Sequence, residues 1–271
     1  MKMHTRVIVL ILVISFFNSL NAQTLTMGYR TSERLPLIGN APNNSGLYFD
    51  LYSAAAKKIN VELKIIRLPK KRILNKIKDG LIDFYPGLTF TYKRSQFAYY
   101  LENGLKGGDV GISLIDFPLI EKLSQLKGKR VLTALGGPDE YLLSNIKGIK
   151  LNKVSQLSLK KAIALLRLKR DEFYVYNVSS IKYYLKINNI NDIKLHPNCC
   201  GGEKPMYLGF SRNSKHYKEI KNPNFDKNKP ISITNLPTLI SKESLAYKFY
   251  KALHEMKESG EINEIVNKYY K

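Results

Sequence analysis

The sequence predicts an α/β protein of two lobes, with the second lobe inserted into the first. Short apolar runs alternate with amphipathic helical segments, a pattern typical of parallel sheets covered by helices. A second series of the same kind opens at residues 126–132, after the first has run for about a hundred residues. A late apolar run at 206–210 is placed to return as a strand of the first unit.

The first unit opens with a strand, a helix and a second strand, predicted at 25–28, 51–59 and 61–66. Apolar residues then recur at helical spacing, at Ile73, Leu74 and Ile77. Asp79 and Gly80 are residues that end a helix. Residues 81–85 are short, apolar and flanked by breakers, which predicts a buried strand.

The second unit continues through a helix at 159–168 and a strand at 173–176, and 110–114 is predicted to be a crossing strand. The polar stretch 213–230 is predicted to be an exposed loop, and two helices close the chain. We therefore assign 23–113 and 206–271 to lobe one and 114–205 to lobe two.

The loop after the strand at 81–85 carries the strongest functional signal. It contains Gly87, Thr89, Thr91 and Arg94, which are loop-forming and anion-binding residue types. Ligands of open α/β sheets bind at the carboxyl ends of the strands. The loop therefore predicts a small-molecule site that holds a carboxylate.

The N-terminus predicts export. Lys2 and Arg6 are basic, 7–17 is almost entirely apolar, and 18–22 is mostly small and polar. This is the pattern of a secretory signal peptide over residues 1–22, cleaved after Ala22. The apolar run is too short for a comfortable membrane span, so we expect an exported, soluble protein.

The formal net charge of +22 raises the question of nucleic-acid binding. The lysines are scattered along the chain without a basic tail, and an exported protein rarely meets nucleic acid. We expect no nucleic-acid partner, a monomer, and a solvated basic surface with a general attraction to anionic polymers.

The adjacent cysteines Cys199 and Cys200 leave two states open, a vicinal disulfide or free thiols. His196 is the only nearby imidazole, which is too few ligands for a metal site. The Cys-Cys-Gly-Gly run is interpreted as a tight loop.

Five segments of the chain form a recognisable series: 46–51, 69–83 with its G-x-x-D ending, 91–94 as T-x-x-R, 126–136, and 260–265. In this order and spacing they resemble family 3 extracellular solute-binding proteins, the two-lobed periplasmic receptors typified by polar amino acid binding proteins of ABC transporters. The resemblance covers nearly the whole chain after the signal peptide and implies a type 2 periplasmic binding protein fold with a ligand cleft between the lobes.

The resemblance also implies roles for individual residues. Arg94 of T-x-x-R would clamp the ligand's carboxylate, because a guanidinium fork matches two carboxylate oxygens. Thr89 and the Gly87 amide would add donors from the same loop. Gly136 and Gly137 would begin a helix whose N-terminal amides favour anions.

Two further positions are weaker candidates. Arg72 stands where relatives with P-x-x-R place an arginine at the rim of the cleft, and a solvated residue beside Lys71 is an equal alternative. Tyr29 follows the first strand, where the family places residues that line the ligand, although aromatic residues are commonly core.

One position departs from the family pattern. Amino acid receptors carry an aspartate after the strand that here ends at Tyr176, and Asn177 occupies that place. A neutral amide cannot form the charge-assisted bond to an ammonium group. The ligand therefore lacks an ammonium group, or meets it through Glu172 or Glu140.

The implied function is capture of a small carboxylate-bearing ligand by hinge closure, for an inner-membrane permease, with no enzyme activity and no cofactor. One alternative is a receptor that reports to a membrane sensor. The other is an enzyme resembling cyclohexadienyl dehydratases, with Glu172 as the acid.

Overall fold

The computed structural model describes residues 23–135, 143–155 and 157–270, which form two α/β lobes, each built on a five-stranded sheet. The strands are β1 (Thr24–Arg30), β2 (Glu62–Leu68), β3 (Phe84–Tyr85), β4 (Ala98–Gly107), β5 (Asp109–Leu114), β6 (Arg130–Ala134), β7 (Lys150–Val154), β8 (Phe173–Asn177), β9 (Ile193–His196), β10 (Lys204–Ser211), β11 (Glu219–Lys221) and β12 (Thr238–Ile240). The helices are α1 (Leu47–Lys58), α2 (Lys70–Lys78), α3 (Tyr92–Ser95), α4 (Leu159–Arg167), α5 (Val178–Ile187), α6 (Leu245–Glu258) and α7 (Glu261–Tyr270).

The two sheets share one plan. In the first, of order β2-β1-β3-β10-β4, β1 lies parallel to β2 and β3, and β10 runs antiparallel to β3 and β4. In the second, of order β7-β6-β8-β5-β9, β6 lies parallel to β7 and β8, and β5 runs antiparallel to β8 and β9. The antiparallel strand in each sheet has just arrived from the other lobe, which confirms the predicted insertion.

The chain crosses between the lobes twice. The first crossing falls at Gly108, between β4 of the first sheet and β5 of the second. The second runs through 197–203, between β9 and β10. The changes of sheet therefore precede the predicted lobe boundaries by a few residues, since 109–113 pair with lobe two and 204–205 already belong to β10.

Most predicted elements lie within a few residues of the observed ones, and the segment 81–85 differs most. Only Phe84 and Tyr85 join the sheet, and Leu81 is 62% exposed. The amides of Leu81 and Ile82 donate to the carbonyl of Lys76, at 2.8 and 3.3 Å. These residues therefore close the C-terminal end of α2 instead of extending the strand. The predicted loop 213–230 also contains β11, which pairs with β12 in an exposed hairpin.

Four aromatic rings form the centre of lobe one. The Phe84 ring centroid lies 5.2 Å from that of Tyr52, 5.3 Å from that of Phe249 and 6.1 Å from that of Phe210. All four side chains are fully buried. Because β3 is only two residues long, this packing supplies much of what holds its carboxyl end, and the loop that follows, in place.

In lobe two, apolar side chains cover both faces of the sheet. Along β8, Phe173 and Val175 pack in one cluster and Tyr174 packs in the other, as alternation along a strand requires. The vicinal pair Cys199 and Cys200 joins the first of these clusters and forms a disulfide in the second crossing.

His196, at the end of β9, is a buried histidine held in its neutral form. Its Nδ1 accepts from the amide of Ile120 at 2.9 Å, and its Nε2 lies 2.8 Å from Ser113 Oγ. An accepting Nδ1 requires an unprotonated nitrogen, which makes Nε2–H the donor to the serine. Burial, and then the charge of Lys194, lowers the pKa of His196 to about 4.

We expect the free energy of unfolding to fall as the pH drops from about 6.5 to 4, by up to about 3 kcal/mol from His196. The unfolded histidine takes up a proton in this window and the folded one does not, so protonation favours the unfolded state. Urea unfolding at pH 7, 5.5 and 4 measures the effect. Replacement by glutamine (His196→Gln) should remove this component, whereas His254→Gln, at an exposed position, should keep it. An equal pH dependence in both variants would contradict the assignment.

The predicted signal peptide, residues 1–22, lies outside the described residues. Among the described helices, none combines the length and apolar character needed to cross a membrane.

Candidate ligand site between the lobes

One cavity lies at the carboxyl end of β8 in lobe two and beside the loop that follows β3 in lobe one. In lobe one, β1 ends at Arg30 and β3 at Tyr85, and in lobe two β8 ends at Asn177. The cavity measures about 570 Å³ and is lined from both lobes and both crossings by residues that include Arg34, Gly87, Thr89, Gly108, Asp109, Asn177, Gly202 and Lys204. A ligand in this place would contact both lobes at once.

The T-x-x-R segment positions Arg94 through a helix cap. Thr91 is the N-cap residue of α3, and its hydroxyl accepts from the Arg94 amide at 3.2 Å. The Arg94 side chain is half-buried, and its Nη1 donates to the Thr89 carbonyl at 3.0 Å. The other guanidinium N–H groups have no hydrogen-bond acceptor within the described ranges, so they are available to a ligand beside the cavity.

Position 87 must be a glycine, both for its backbone conformation and because a neighbouring side chain leaves no room for a Cβ. Its φ is +65°, and a Cβ built on it would lie 2.1 Å from the hydroxyl oxygen of Tyr48. The Tyr48 side chain is fully buried, and its hydroxyl has no hydrogen-bond partner among the residues described. A phenol donor therefore fills the space that a side chain at position 87 would occupy, next to the cavity wall.

The aspartate of the G-x-x-D segment holds the strand ends together. Asp83 Oδ2 accepts from the amide of Thr26 at 2.7 Å, and Oδ1 accepts from the hydroxyl of Ser214. Asp83 is buried, and these bonds connect β1 with the turn that follows β10. Its position assigns it to the framework behind the site.

The expectation that Tyr29 lines the cleft is wrong for this structure. Its side chain is fully buried in the core of lobe one, where its hydroxyl donates to the carbonyls of Leu37 and Ser45, each at 3.1 Å. The Arg67 guanidinium lies 4.7 Å from the centre of its ring. Strand residues alternate faces, so its neighbour Arg30, the last residue of β1, lies on the opposite face of the sheet.

Arg72 lies exposed on α2, and its side chain makes no hydrogen bond or ion pair within the described part of the chain. The α2 residue directed at the strand ends is Lys70, whose Nζ lies 5.6 Å from the centre of the Tyr85 ring.

Asn177 lines the cavity, and the fold already uses its amide. The side-chain oxygen caps α5 by accepting from the Ser180 amide at 3.3 Å, and Nδ2 donates to the Gly108 carbonyl at 3.2 Å. The residue therefore ties the start of a lobe-two helix to the first crossing. Asp109 is the carboxylate on the same wall, and burial raises its pKa while the charge of Arg34 opposes the rise.

Glu172 lies at the wrong end of lobe two for a role in the cleft. It precedes β8, whereas Asn177 ends that strand, so the two are roughly 16 Å apart at the strand rise per residue. Its carboxylate accepts from the Arg130 amide at 2.9 Å and lies 3.7 Å from Lys129 Nζ. Glu172 therefore neither meets a ligand ammonium nor supplies a dehydratase acid. The other candidates, Gly136, Gly137 and Glu140, lie outside the described residues.

The sequence interpretation missed four charged residues of this edge: Arg30, Arg34, Lys70 and Asp109. Arg30 and Lys70 could have been found, because each stands at or just after the end of a predicted strand, as the loop at 86–94 does. Arg34 and Asp109 depend on the path of a loop and on the exact crossing point, for which the sequence carried no signal.

The strand order of the two sheets, together with the cavity between the lobes, matches the class of two-lobed type 2 periplasmic binding proteins. Residues 25–271 match the family of bacterial extracellular solute-binding proteins, family 3, and the chain belongs to this family. No curated protein is similar to it in sequence.

Solved structures share the fold at low identity. An ancestral arginine-binding protein bound to arginine aligns with a TM-score of 0.59 and 22% identity, over 92% of this chain and 98% of that one. The unliganded, open L-cystine solute receptor of Neisseria gonorrhoeae aligns with a TM-score of 0.65 and 18% identity, over 92% of this chain and 94% of that one. The GluR0 ligand-binding core from Nostoc punctiforme, in complex with L-glutamate, aligns with a TM-score of 0.61 and 18% identity, over 91% of this chain and 99% of that one.

Proposed function

We propose that the protein is a periplasmic receptor that captures a small carboxylate-bearing ligand between its lobes, with Arg94 as the carboxylate clamp. The observation that carries the proposal is the position of Arg94. A capped helix presents it beside a cavity that both lobes line, and most of its guanidinium donors are unused by the described residues. A planar guanidinium can hold both oxygens of one carboxylate.

Capture requires hinge motion and no covalent chemistry. A ligand that contacts both lobes favours the arrangement in which they are closest, so binding shifts the population toward a closed form. The two crossings, at Gly108 and 197–203, are the segments that connect the sheets and would absorb the motion. Asn177, bonded to the Gly108 carbonyl, couples the cavity wall to the first crossing.

Family membership supports export and a membrane partner. We propose that residues 1–22 are removed as a signal peptide, that the mature chain begins at Gln23, and that the closed form docks as a monomer on an inner-membrane ABC permease. A sensing role is the second candidate, because transport and sensing would use the same two lobes. Permease and ATPase genes beside this one would favour transport.

A thermal-shift screen of residues 23–271 tests the proposal, with amino acids, dicarboxylates, keto acids and peptides as ligands. A micromolar ligand at millimolar concentration stabilises the folded state by about 4 kcal/mol. Truncation of the clamp (Arg94→Ala) should weaken binding at least ~30-fold, because a desolvated charge pair costs about 2 kcal/mol or more to break. The same substitution at the exposed Arg170 (Arg170→Ala) is the matched control and should leave binding unchanged. A carboxylate ligand bound equally well by both variants would rule out Arg94 as the clamp.

A further inference from the structure

Four cationic side chains gather at the edge where the parallel strands of lobe one end. Arg30 is the last residue of β1 and pairs in register with Leu68, the last residue of β2. Lys70 begins α2 two residues later, and Arg94 lies on α3, in the loop after β3. Arg34, from the loop after β1, lines the cavity.

Tyr85, the last residue of β3, lies beside Lys70 of this cationic cluster, which we define as Arg30, Arg34, Lys70 and Arg94. The Lys70 ammonium lies 5.6 Å from its ring centre, and burial raises the pKa of Tyr85 while the charges of the three arginines lower it. The pKa of Lys70 is lowered, first by burial and then by the charges of the same arginines. Lys70 is exposed as a whole residue, so solvent screens part of this repulsion.

No counter-charge in the described part of the chain neutralises the cluster. Arg30 Nε donates to Ser32 Oγ at 2.7 Å and Arg94 Nη1 donates to the Thr89 carbonyl, and both acceptors are neutral. None of the four cations forms an ion pair with a described acid.

The acids near the cluster are few. Asp109 lines the cavity with Arg34, and Glu33 is exposed in the loop between Arg30 and Arg34. On the lobe-two wall, the side chain at the end of β8 is the neutral Asn177. A single carboxylate held by Arg94 would leave Arg30 and Lys70 without a negative partner, and Arg34 with Asp109 alone.

On the basis of the function proposed above, we propose that the ligand carries at least two negative charges, as in a dicarboxylate or a phosphate monoester. Arg94 holds one anionic group, and the remaining cations of the cluster, Lys70 among them, hold the second. A zwitterionic amino acid with a neutral side chain would place its ammonium group against a surface of excess positive charge. Dianions gain from relief of this repulsion, which falls as salt screens it.

The test compares probes that differ by one charge. Calorimetric titrations at low and moderate salt would use the dicarboxylates malonate, succinate and glutarate, each against its monomethyl ester. Methyl phosphate against dimethyl phosphate forms the second arm. We expect at least one dianion to bind tenfold or more tightly than its monoanionic partner, and the arm that succeeds distinguishes a dicarboxylate from a phosphate ligand.

Two variants with the same change of charge distinguish the effect of the cluster on binding from the effect of the general basic surface. Neutralisation within the cluster (Lys70→Gln) should weaken binding of the dianion at least tenfold and binding of its monoanionic partner less than threefold. The neighbouring Lys71→Gln, exposed on the same helix, should change neither by more than twofold. Equal effects of the two variants on the dianion would overturn the role of the cluster.

The outcomes also separate this inference from the receptor function. Binding of a monoanion or of L-glutamine as tightly as any dianion, lost in Arg94→Ala, would keep the receptor function and overturn the charge assignment. Absence of binding by every dianion overturns the inference, and absence of binding by every carboxylate overturns the clamp as well.

Discussion

Replacing Gly108 with alanine (Gly108→Ala) is expected to lower the free energy of unfolding by about 3 to 5 kcal/mol. The φ of Gly108 is +147°, a conformation that side chains rarely adopt, and a Cβ there would lie 2.1 Å from the carbonyl oxygen of Gly202. Strained backbone costs about 1 to 3 kcal/mol, and forced overlap in a packed site costs a similar amount. The backbone fixes the position of the Cβ and the atom it meets is a main-chain oxygen, so no side-chain rotation relieves the clash.

The contact at Gly108 also joins the two crossings, because Gly202 belongs to the second. The carbonyl of Gly108 accepts hydrogen bonds from the Val178 amide, at 3.0 Å, and from the side chain of Asn177. A substitution that separates the crossings should therefore change ligand affinity together with stability. Denaturant unfolding and titration of one ligand measure both effects.

Gly128→Ala is the matched control for this prediction. Gly128 also has a positive φ, of +81°, but a Cβ there meets no atom within 4 Å. We expect a cost of about 1 kcal/mol from backbone strain alone and no change in affinity. Equal losses of stability in the two variants would show that the contact between the crossings contributes nothing.

Truncation of Phe84 (Phe84→Ala) is expected to cost about 3 to 5 kcal/mol, the range for a buried aromatic side chain. The ring is fully buried, and three other aromatic rings surround it. Removing it leaves a cavity that rigid neighbouring rings fill poorly. Because Phe84 precedes Tyr85 and the binding loop, we also expect ligand affinity to fall when the variant is folded.

Urea unfolding of Phe84→Ala and of Tyr92→Ala measures the effect of burial. Tyr92 is 62% exposed, so its truncation should change the stability by less than about 1 kcal/mol. A small loss at Phe84, within that range, would mean that the aromatic cluster repacks around the gap.

Local sequence patterns were enough to predict much of the fold. Helical spacing of Ile73 and Ile77, both fully buried, and the stop at Asp79-Gly80 predicted α2 within a few residues. They failed at Leu81 and Ile82, whose amides complete a helix end, so that only Phe84 and Tyr85 are strand residues. Apolar character predicted a buried strand, but Leu81 is 62% exposed, and the pattern does not show which backbone partners an apolar segment finds.

In the candidate site, too, local patterns predicted some features and the fold decided the others. The sequence by itself determined the loop that holds Arg94 and the glycine at 87, because a Thr cap and a positive φ are local requirements of the backbone. Only the tertiary structure decided that Tyr29 points into the core, that Lys70 rather than Arg72 approaches Tyr85, and that Asp109 and Arg34 share a cavity. These placements depend on strand register, helix phase and the point at which the chain crosses between sheets. Such relations join residues that are far apart in the sequence, so local sequence patterns do not predict them.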